Sequence, residues 1–227
     1  MVSAGKKSRV GILGGTFDPV HLGHLRAAEE VREILGLSKV YFVPSAVPPH
    51  KDPQDTTPAA DRLAMLELAV GPIPYFEVST YELDKGTISY TIETLMHLSS
   101  SLAGAELYFI VGSELFQEID TWKNYKDLFK LANFAVMERP GFTDAAPPAL
   151  PLALEKDFRY YKSEDKVNIY KNSYSKEVVF TQIQGVRVSS TEIRRAVKAG
   201  KPVKGMVPEE VERYIITKGL YTQEAAL

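Results

Sequence analysis

An apolar run that leads through a glycine pair into a helical repeat constrains the fold of this chain more than any other feature. The run is Val10-Gly11-Ile12-Leu13, the pair is Gly14-Gly15, and the helical pattern continues through Leu25, Ala28 and Val31. This order is typical of a buried strand that turns directly into a helix. The start of a helix exposes unpaired N–H groups and a partial positive charge, and glycine lets a ligand approach the backbone closely. The junction is therefore predicted to bind phosphate.

Two histidines, His21 and His24, lie at the start of that helix. Residues three apart are neighbours on a helix surface, so both imidazoles would add donors to the same turn. The glycines fit neither G-x-G-x-x-G nor G-x-x-x-x-G-K-[ST], the two commonest phosphate fingerprints. One alternative is a turn whose histidines only cap the helix. Another is a histidine metal pair, which is disfavoured because only His50 and His97 remain, with no cysteine, at spacings unlike those of zinc sites.

Apolar runs and helical patterns alternate along the chain, which predicts an α/β fold with a Rossmann-like, doubly wound parallel sheet. Helices are expected on both faces of the sheet, together with a small C-terminal helical part. We expect one domain over 1–227: an α/β core at about 8–140, a variable insert at 141–176, and a last strand with C-terminal helices at 177–227. Further strands are predicted at 40–43, 76–78, 107–111, 134–137 and 178–180, and further helices from Pro58, at 89–102, 190–199 and 208–218.

Composition excludes several classes of protein. The 227 residues carry a formal net charge of −2, without the basic excess of a nucleic-acid-binding surface. No apolar run approaches the ~20 residues that cross a bilayer, and no apolar region follows the N-terminal lysines to make a signal peptide. The absence of cysteine excludes disulfides and thiolate chemistry. We expect a cytoplasmic protein with no nucleic-acid or membrane partner, and the sequence leaves the oligomeric state open, a homo-oligomer included.

The segment from Gly15 to His24 resembles the G-x-F-D-P-x-H-x-G-H signature of the HxGH nucleotidyltransferase superfamily. Its fixed positions are occupied by Gly15, Phe17, Asp18, Pro19, His21, Gly23 and His24. The resemblance implies that His21 and His24 are catalytic and contact the α-phosphate of ATP, with His24 as the transition-state contact. It also implies an ATP site formed by Gly14, Gly15, Thr16, Phe17 and Gly23.

A second motif, Ser189-Ser190-Thr191-Glu192-Ile193-Arg194, forms the start of the helix predicted at 190–199. Ser189 and Glu192 have the spacing of a capping box, which needs no ligand. However, Ser190, Thr191 and Arg194 also match the S-[ST]-x-x-[RK] motif of the same superfamily. That resemblance implies that Ser190 and Thr191 bind the β- and γ-phosphates, and that Arg194 is a catalytic group on the departing pyrophosphate.

Motifs in the middle of the chain indicate which family of the superfamily it resembles. Nearly the whole chain is similar to the bacterial nicotinate-nucleotide adenylyltransferases. The similarity extends from Val10 to Tyr221, is weakest between Phe142 and Lys176, and includes Pro48-Pro49-His50-Lys51, Asp61-Arg62, Ser89 to Leu95, Ile110 to Glu114, Trp122 and Arg139-Pro140-Gly141. It implies adenylyl transfer from ATP to nicotinic acid mononucleotide, with Mg²⁺ held by the ATP phosphates and no metal ligand from the protein.

The same resemblance assigns the acceptor site. Lys51, with His50, would contact the mononucleotide phosphate, Trp122 would stack on the pyridine ring, and Tyr90 and Thr91 would offer backbone N–H groups to its carboxylate. A solvated lysine, a core tryptophan and an ordinary helix cap are the alternatives for these residues. Gly112 and Glu114 stand where the family has Gly-x-Asp, so the ribose-binding carboxylate of the ATP site would have one extra methylene.

Three other functions remain open. One is an adenylyltransferase that prefers nicotinamide mononucleotide. The second uses another phosphate-bearing acceptor, as the phosphopantetheine enzyme does, although that family is shorter and has threonine at the position of His21. The third is a nucleotide-binding module without turnover, which loss of a catalytic histidine or of Ser190, Thr191 and Arg194 would have favoured.

Overall fold

The computed structural model describes residues 7–47, 56–138, 149–165 and 167–222. Within these ranges the chain forms one eight-stranded sheet with the strand order β3-β2-β1-β4-β5-β8-β7-β6. The strands are β1 (Arg9–Gly15), β2 (Lys39–Pro44), β3 (Phe76–Val78), β4 (Glu106–Gly112), β5 (Asn133–Glu138), β6 (Phe158–Glu164), β7 (Val167–Asn172) and β8 (Glu177–Gln182).

Strands β1 to β5 and β8 are parallel, whereas β6 and β7 form an antiparallel hairpin that extends the sheet beside β8. In the centre of the sheet, Ile12 of β1 pairs with Tyr41 of β2 on one side and with Phe109 of β4 on the other. The chain therefore winds outward from β1 to β3 and then crosses to β4 and continues in the opposite direction. This reversal confirms the predicted doubly wound fold and opens a crevice at the carboxyl ends of β1 and β4, where such folds bind ligands.

Helices cover both faces of the sheet, as predicted. Alternate strand residues face opposite sides, so Leu13 packs under α1, α2, α7 and α8 while Ile12 packs under α4, α5 and α6. In the described ranges, no helix is both long and apolar enough to pass through a bilayer. The helices are α1 (Leu22–Leu35), α2 (Ala59–Val70), α3 (Tyr81–Lys85), α4 (Thr91–Ser101), α5 (Ser113–Gln117), α6 (Tyr125–Leu131), α7 (Ser190–Lys198) and α8 (Glu209–Lys218).

Two helices differ in detail from the prediction. Helix α2 begins at Ala59, one residue after the proline that was predicted to occupy its first position. The sequence predicts that Ile92, Leu95 and Met96 share one side of the helix at 89–102; in α4, Ile92 and Leu95 are buried, but Met96 is 57% exposed. The buried stripe of α4 runs through positions 92, 95 and 98, and Met96 lies one residue, about 100° of helix rotation, beyond it.

The β6–β7 hairpin falls in the segment where no element was predicted. Most side chains of β6 are exposed or half-buried and only Phe158 is buried, so the strand has no apolar run to signal it. The hairpin is held instead by contacts such as the edge-on packing of Tyr160 against Tyr170, with ring centroids 5.7 Å apart.

Candidate active site

The loop between β1 and α1 lies at the carboxyl edge of the sheet and is packed from below by Phe17. This ring is 2% exposed and meets the His24 ring edge-on, with centroids 5.1 Å apart. A Cβ on Gly15 would lie 3.1 Å from the same ring, so a larger residue at position 15 would displace it. The side chain of Phe17 thus supports the loop from within the core, and its predicted contact with ATP would have to come from its backbone.

His21 and His24 cap the start of α1 reciprocally. The N–H of His24 donates to Nδ1 of His21, and the N–H of His21 donates to Nδ1 of His24, both at 3.3 Å. The two rings stack with centroids 3.6 Å apart. A ring nitrogen that accepts an N–H carries no proton, so the proton of each neutral imidazole is on Nε2. The capping alternative and the functional prediction are therefore compatible, because capping uses only Nδ1.

Gly23 allows a second loop to approach the start of α1. A Cβ at this position would lie 3.0 Å from both Cε1 and Nδ1 of His21 and 3.1 Å from the carbonyl oxygen of Val186. Val186 belongs to the segment between β8 and α7. The glycine is thus required by the close approach of that segment to the His21 ring.

Helix α7 begins beside the β1–α1 loop. Ser189 caps α7 by accepting the Glu192 N–H, and Glu192 accepts the Ser189 N–H at 2.9 Å, which confirms the capping box. The next residue, Ser190, donates its hydroxyl to the Pro19 carbonyl at 3.0 Å. Arg194 donates to the Asp18 carbonyl at 2.6 Å, and its other Nη lies 3.4 Å from the Thr191 hydroxyl. The two motifs that the sequence predicts separately thus form one site with two adjacent helix starts.

Glu30 of α1 holds the segment that leads into α7. This glutamate is 7% exposed and accepts the backbone N–H groups of Gln184 at 2.6 Å and Gly185 at 3.1 Å. Arg26 donates to the same carboxylate at 2.7 Å. Sequence analysis did not identify Glu30, because a glutamate four residues from an arginine on a helix is typical of a solvent-facing ion pair.

Asp18 is buried beneath the loop and is 1% exposed. The Tyr221 hydroxyl donates to its Oδ1 at 2.7 Å, and the Thr57 N–H lies 3.4 Å from its Oδ2. Burial, reinforced by the Asp18 charge, raises the pKa of Tyr221 well above its usual 10, so the hydroxyl stays a neutral donor. Arg62, also 1% exposed, donates to backbone carbonyls beside this carboxylate. Tyr221 and Arg62 were noted only as part of the resemblance, without a role.

The residues predicted to bind the acceptor lie where α4 starts and where the chain enters α6. Tyr90 precedes the first residue of α4, Thr91, and Lys123 Nζ lies 4.0 Å from the centre of the Tyr90 ring. Trp122, which adjoins Lys123, is half-buried and meets the Phe109 ring edge-on at 5.9 Å. The structure thus brings the Trp122 segment against Tyr90.

Lys123 is also 3.1 Å from Glu93, the third residue of α4, which Lys85 contacts as well. The hydrogen bonds from Lys85 and Lys123 lower the pKa of Glu93 to about 2. At the end of β4, Glu114 is exposed and its Oε2 lies 3.0 Å from where a Cβ on Gly112 would be. The carboxylate therefore folds back over the strand end. His50, Lys51 and Arg139 lie outside the described residues.

The donors gathered at this edge are suited to an anion. They are the Nε2–H groups of two imidazoles, the N-terminal turn of α7 and one guanidinium. At the start of α1, the N–H groups of His21, Leu22 and His24 already donate to acceptors within the protein. Within the described ranges, no three histidine, aspartate or glutamate side chains cluster as metal ligands would. The arrangement is that of an α/β nucleotide-binding protein, with a strand–loop–helix junction lying beside a helix start from a distant part of the chain.

Comparison with known proteins agrees with the assignment to the α/β nucleotide-binding proteins. Residues 12–196 match the cytidylyltransferase-like family. A probable nicotinate-nucleotide adenylyltransferase of Geotalea uraniireducens is 40% identical over 214 residues, which cover 94% of this chain and 98% of that protein. The protein of the same name from Desulfatibacillum aliphaticivorans is 41% identical over 225 residues, covering 94% and 99% of the two chains. The chain therefore belongs to the nicotinate-nucleotide adenylyltransferase family.

Solved structures share the fold. Nicotinic acid mononucleotide adenylyltransferase of Plasmodium falciparum, complexed with NaAD, superposes with a TM-score of 0.68 at 17% identity, covering 94% of this chain and 97% of that one. A putative nicotinate-nucleotide adenylyltransferase from Vibrio parahaemolyticus superposes with a TM-score of 0.63 at 14% identity, covering 96% and 97%.

Proposed function

We propose that this chain transfers the adenylyl group of ATP to nicotinic acid mononucleotide, forming nicotinic acid adenine dinucleotide and pyrophosphate, a step in NAD biosynthesis. The observation that carries the proposal is the direct hydrogen bonding of the two phosphate motifs, through Ser190 to Pro19 and Arg194 to Asp18. Two adjacent phosphate-binding motifs suit a chain of phosphates, whereas a single phosphate needs only one helix start.

The reaction needs no nucleophile from the protein. A phosphate oxygen of the mononucleotide, ionised at neutral pH, attacks the α-phosphorus of ATP. The new P–O bond forms as the bond to the β-phosphate oxygen breaks, and the electron pair leaves with pyrophosphate. The protein therefore has to align two polyanions and stabilise charge on the transferring phosphoryl group.

His24 is assigned the main contact to the α-phosphate in the transition state. His21 is 4% exposed, whereas His24 is half-buried on the outward side of the stacked pair and more accessible to a ligand. Both rings are oriented through Nδ1, so their Nε2–H groups are fixed donors that need no rearrangement during the reaction. The N–H groups of His21, Leu22 and His24 already donate within the protein, so further donors to ATP would come from the backbone of Gly14, Gly15, Thr16 and Gly23.

The N-terminal turn of α7 is assigned to the departing pyrophosphate. Ser190, Thr191 and Arg194 share its first turns, and the guanidinium of Arg194 is positioned by the Asp18 carbonyl and the Thr191 hydroxyl. A guanidinium suits phosphate oxygens because it presents several N–H groups in one plane. We expect it to stabilise the charge that accumulates on the leaving group.

Mg²⁺ fits this site as a partner of the ATP phosphates. Among the residues that the structure describes, the carboxylate buried beneath the phosphate loop is that of Asp18, which already accepts the Tyr221 hydroxyl, and the guanidinium beside it is a hydrogen-bond donor. The ion would therefore be coordinated by triphosphate oxygens, where it neutralises part of their charge.

For the acceptor, we assign Trp122 to the pyridine ring and the backbone N–H groups of Tyr90 and Thr91 to the carboxylate. The Tyr90 N–H donates to Glu93 Oε2 at 3.4 Å, so the substrate carboxylate would have to take the place of Glu93. Their shared location beside Lys123 supports one acceptor pocket. Donors of this kind favour an acid over an amide, because the NH₂ group of the amide would face them unpaired. Lys51 with His50 would hold the mononucleotide phosphate, and Glu114 a ribose of ATP.

Pyrophosphate release tests the proposal when ATP and Mg²⁺ are supplied with either nicotinic acid mononucleotide or nicotinamide mononucleotide. Release with the acid, matched mole for mole by the dinucleotide, is the expected result. Comparable release with the amide would contradict the account of acid selectivity but not the adenylyl transfer. Release with neither acceptor would contradict the function and favour a module that only binds nucleotide.

A further inference from the structure

We propose that Tyr221 and Arg62 are positioning residues for adenylyl transfer, which act by fixing Asp18 and the loop between β1 and α1. The inference rests on the proposed function and assigns two side chains a part in it. Neither side chain belongs to the phosphate-binding groups described above. Arg62 bonds the backbone that carries those groups, and Tyr221 bonds the Asp18 side chain beneath it.

Arg62 connects three chain segments with one buried guanidinium. It donates to the carbonyl oxygens of Thr16 at 2.8 Å, Ala46 at 3.2 Å and Thr57 at 3.0 Å. These carbonyls belong to the loop after β1, the loop after β2 and the approach to α2. The guanidinium thus sets the spacing between the phosphate loop and the neighbouring loop at the carboxyl edge of the sheet.

Burying the positive charge of Arg62 is unfavourable for the free energy of folding. Burial lowers the pKa of Arg62, and the nearby Asp18 charge only partly opposes the effect. A buried charge held by neutral carbonyls costs more than an apolar side chain of similar shape at the same position. The cluster is therefore poorly explained by stability alone, and its well-defined geometry is the advantage that remains.

Tyr221 fixes the other side of the same loop. Its hydroxyl holds the Asp18 side chain, while Arg194 holds the Asp18 backbone carbonyl and Ser190 holds the carbonyl of the following residue, Pro19. Asp18, three residues before His21, is thus hydrogen-bonded through both its side chain and its backbone carbonyl. Without the tyrosine hydroxyl, the Asp18 carboxylate would lose its 2.7 Å bond and depend on the longer contact from the Thr57 N–H at 3.4 Å.

The test is the variant Tyr221→Phe, with Tyr214→Phe as a matched control. Tyr214 makes a very similar bond, from its hydroxyl to Asp61 at 2.8 Å, but between α8 and α2. Tyr221→Phe is expected to lower kcat for pyrophosphate release about tenfold to a hundredfold, the range expected for a hydrogen bond to a charged group, with little change in KM for the mononucleotide. Tyr214→Phe should lower Tm to a similar extent and leave kcat unchanged.

A double-mutant cycle shows whether Tyr221 acts through Asp18. If it does, Tyr221→Phe in an Asp18→Asn background should lower kcat by much less than it does in the wild type. Arg62→Lys keeps the charge but cannot reach three carbonyls, and it should also lower kcat at temperatures where it is fully folded.

Wild-type kcat in Tyr221→Phe, equal losses of kcat in Tyr221→Phe and Tyr214→Phe, or additive losses in the cycle would each overturn the inference. These results are distinguishable from failure of the proposed function, which would appear as no pyrophosphate release by the wild type with either mononucleotide.

Discussion

Replacing Gly23 with alanine should impair catalysis more than folding. The added Cβ would lie 3.0 Å from two atoms of the His21 ring and 3.1 Å from the Val186 carbonyl oxygen. Ordinary contacts begin near 3.4 Å, so the ring and the segment must separate by about 0.3–0.4 Å. The His24 ring, stacked at 3.6 Å, would have to move with them.

The two energetic effects of this substitution oppose each other. Overpacking costs about 1–3 kcal/mol, and alanine gains up to about 1 kcal/mol of helix propensity over glycine, less at the second residue of a helix. The net loss of about 1–2 kcal/mol corresponds to a fall in Tm of about 2–8 °C for a chain of this size. Because both histidines shift, we expect kcat to fall at least about tenfold.

Steady-state pyrophosphate release and thermal unfolding of the purified variant test this reasoning together. Gly14→Ala is the control for stability, since among the described residues its Cβ would meet nothing closer than Phe109 at 3.8 Å, and its Tm should match the wild type. A Gly23→Ala variant with both kcat and Tm of the wild type would refute the steric argument. A fall in Tm without a fall in kcat would refute the link to the histidines.

Two further predictions concern charged groups at the site. Glu30→Gln keeps the shape of the side chain but loses the charge that binds the Gln184 and Gly185 N–H groups. The substitution should lower kcat/KM for ATP about tenfold in steady-state assays. An unchanged kcat/KM would mean that the segment before α7 does not need the charged Glu30 carboxylate to hold its position. Glu93 has its folded pKa lowered to about 2 from 4.5, so its ion pairs stabilise the fold above pH 4.5 and are lost as the pH falls from about 4.5 to about 2. The Tm difference between the wild type and Glu93→Gln should therefore vanish across that window, and a difference that is independent of pH would contradict the assignment.

Sequence patterns predicted the elements that local chemistry determines. The β1–α1 junction combines an apolar run, glycines and a helical repeat, and the cap of α7 needs only Ser189 and Glu192, three residues apart. The alternation of apolar runs and helical patterns was sufficient to predict the doubly wound sheet. The hairpin β6–β7 was missed because its stability depends on pairing with β8 and not on an apolar run of its own.

The supporting residues of the site depend on partners that lie far away in the chain. Glu30 binds the N–H groups of Gln184 and Gly185, and Tyr221 binds Asp18. Local pattern places a glutamate or an arginine on the solvent side of a helix, yet Glu30 and Arg62 both face inward. Such residues are recognised only when the tertiary arrangement brings the backbone groups to them.

The activity of His24→Ala tests the central claim most directly, because the claim assigns catalysis to fixed donors at the start of α1 and the N-terminal turns of α7. Pyrophosphate release from ATP with nicotinic acid mononucleotide should fall about a hundredfold to a thousandfold. Loss of the cap bond to the His21 N–H and of the ring contact with Phe17 should lower Tm by about 1–8 °C, so release is measured well below the Tm of the variant. Pyrophosphate release by Arg194→Ala should fall by a similar factor. Release by Arg195→Ala, which alters the exposed neighbour on the same helix, should equal that of the wild type. Wild-type release by His24→Ala would contradict the account, because the α-phosphate would then not depend on the histidine to which the mechanism assigns it.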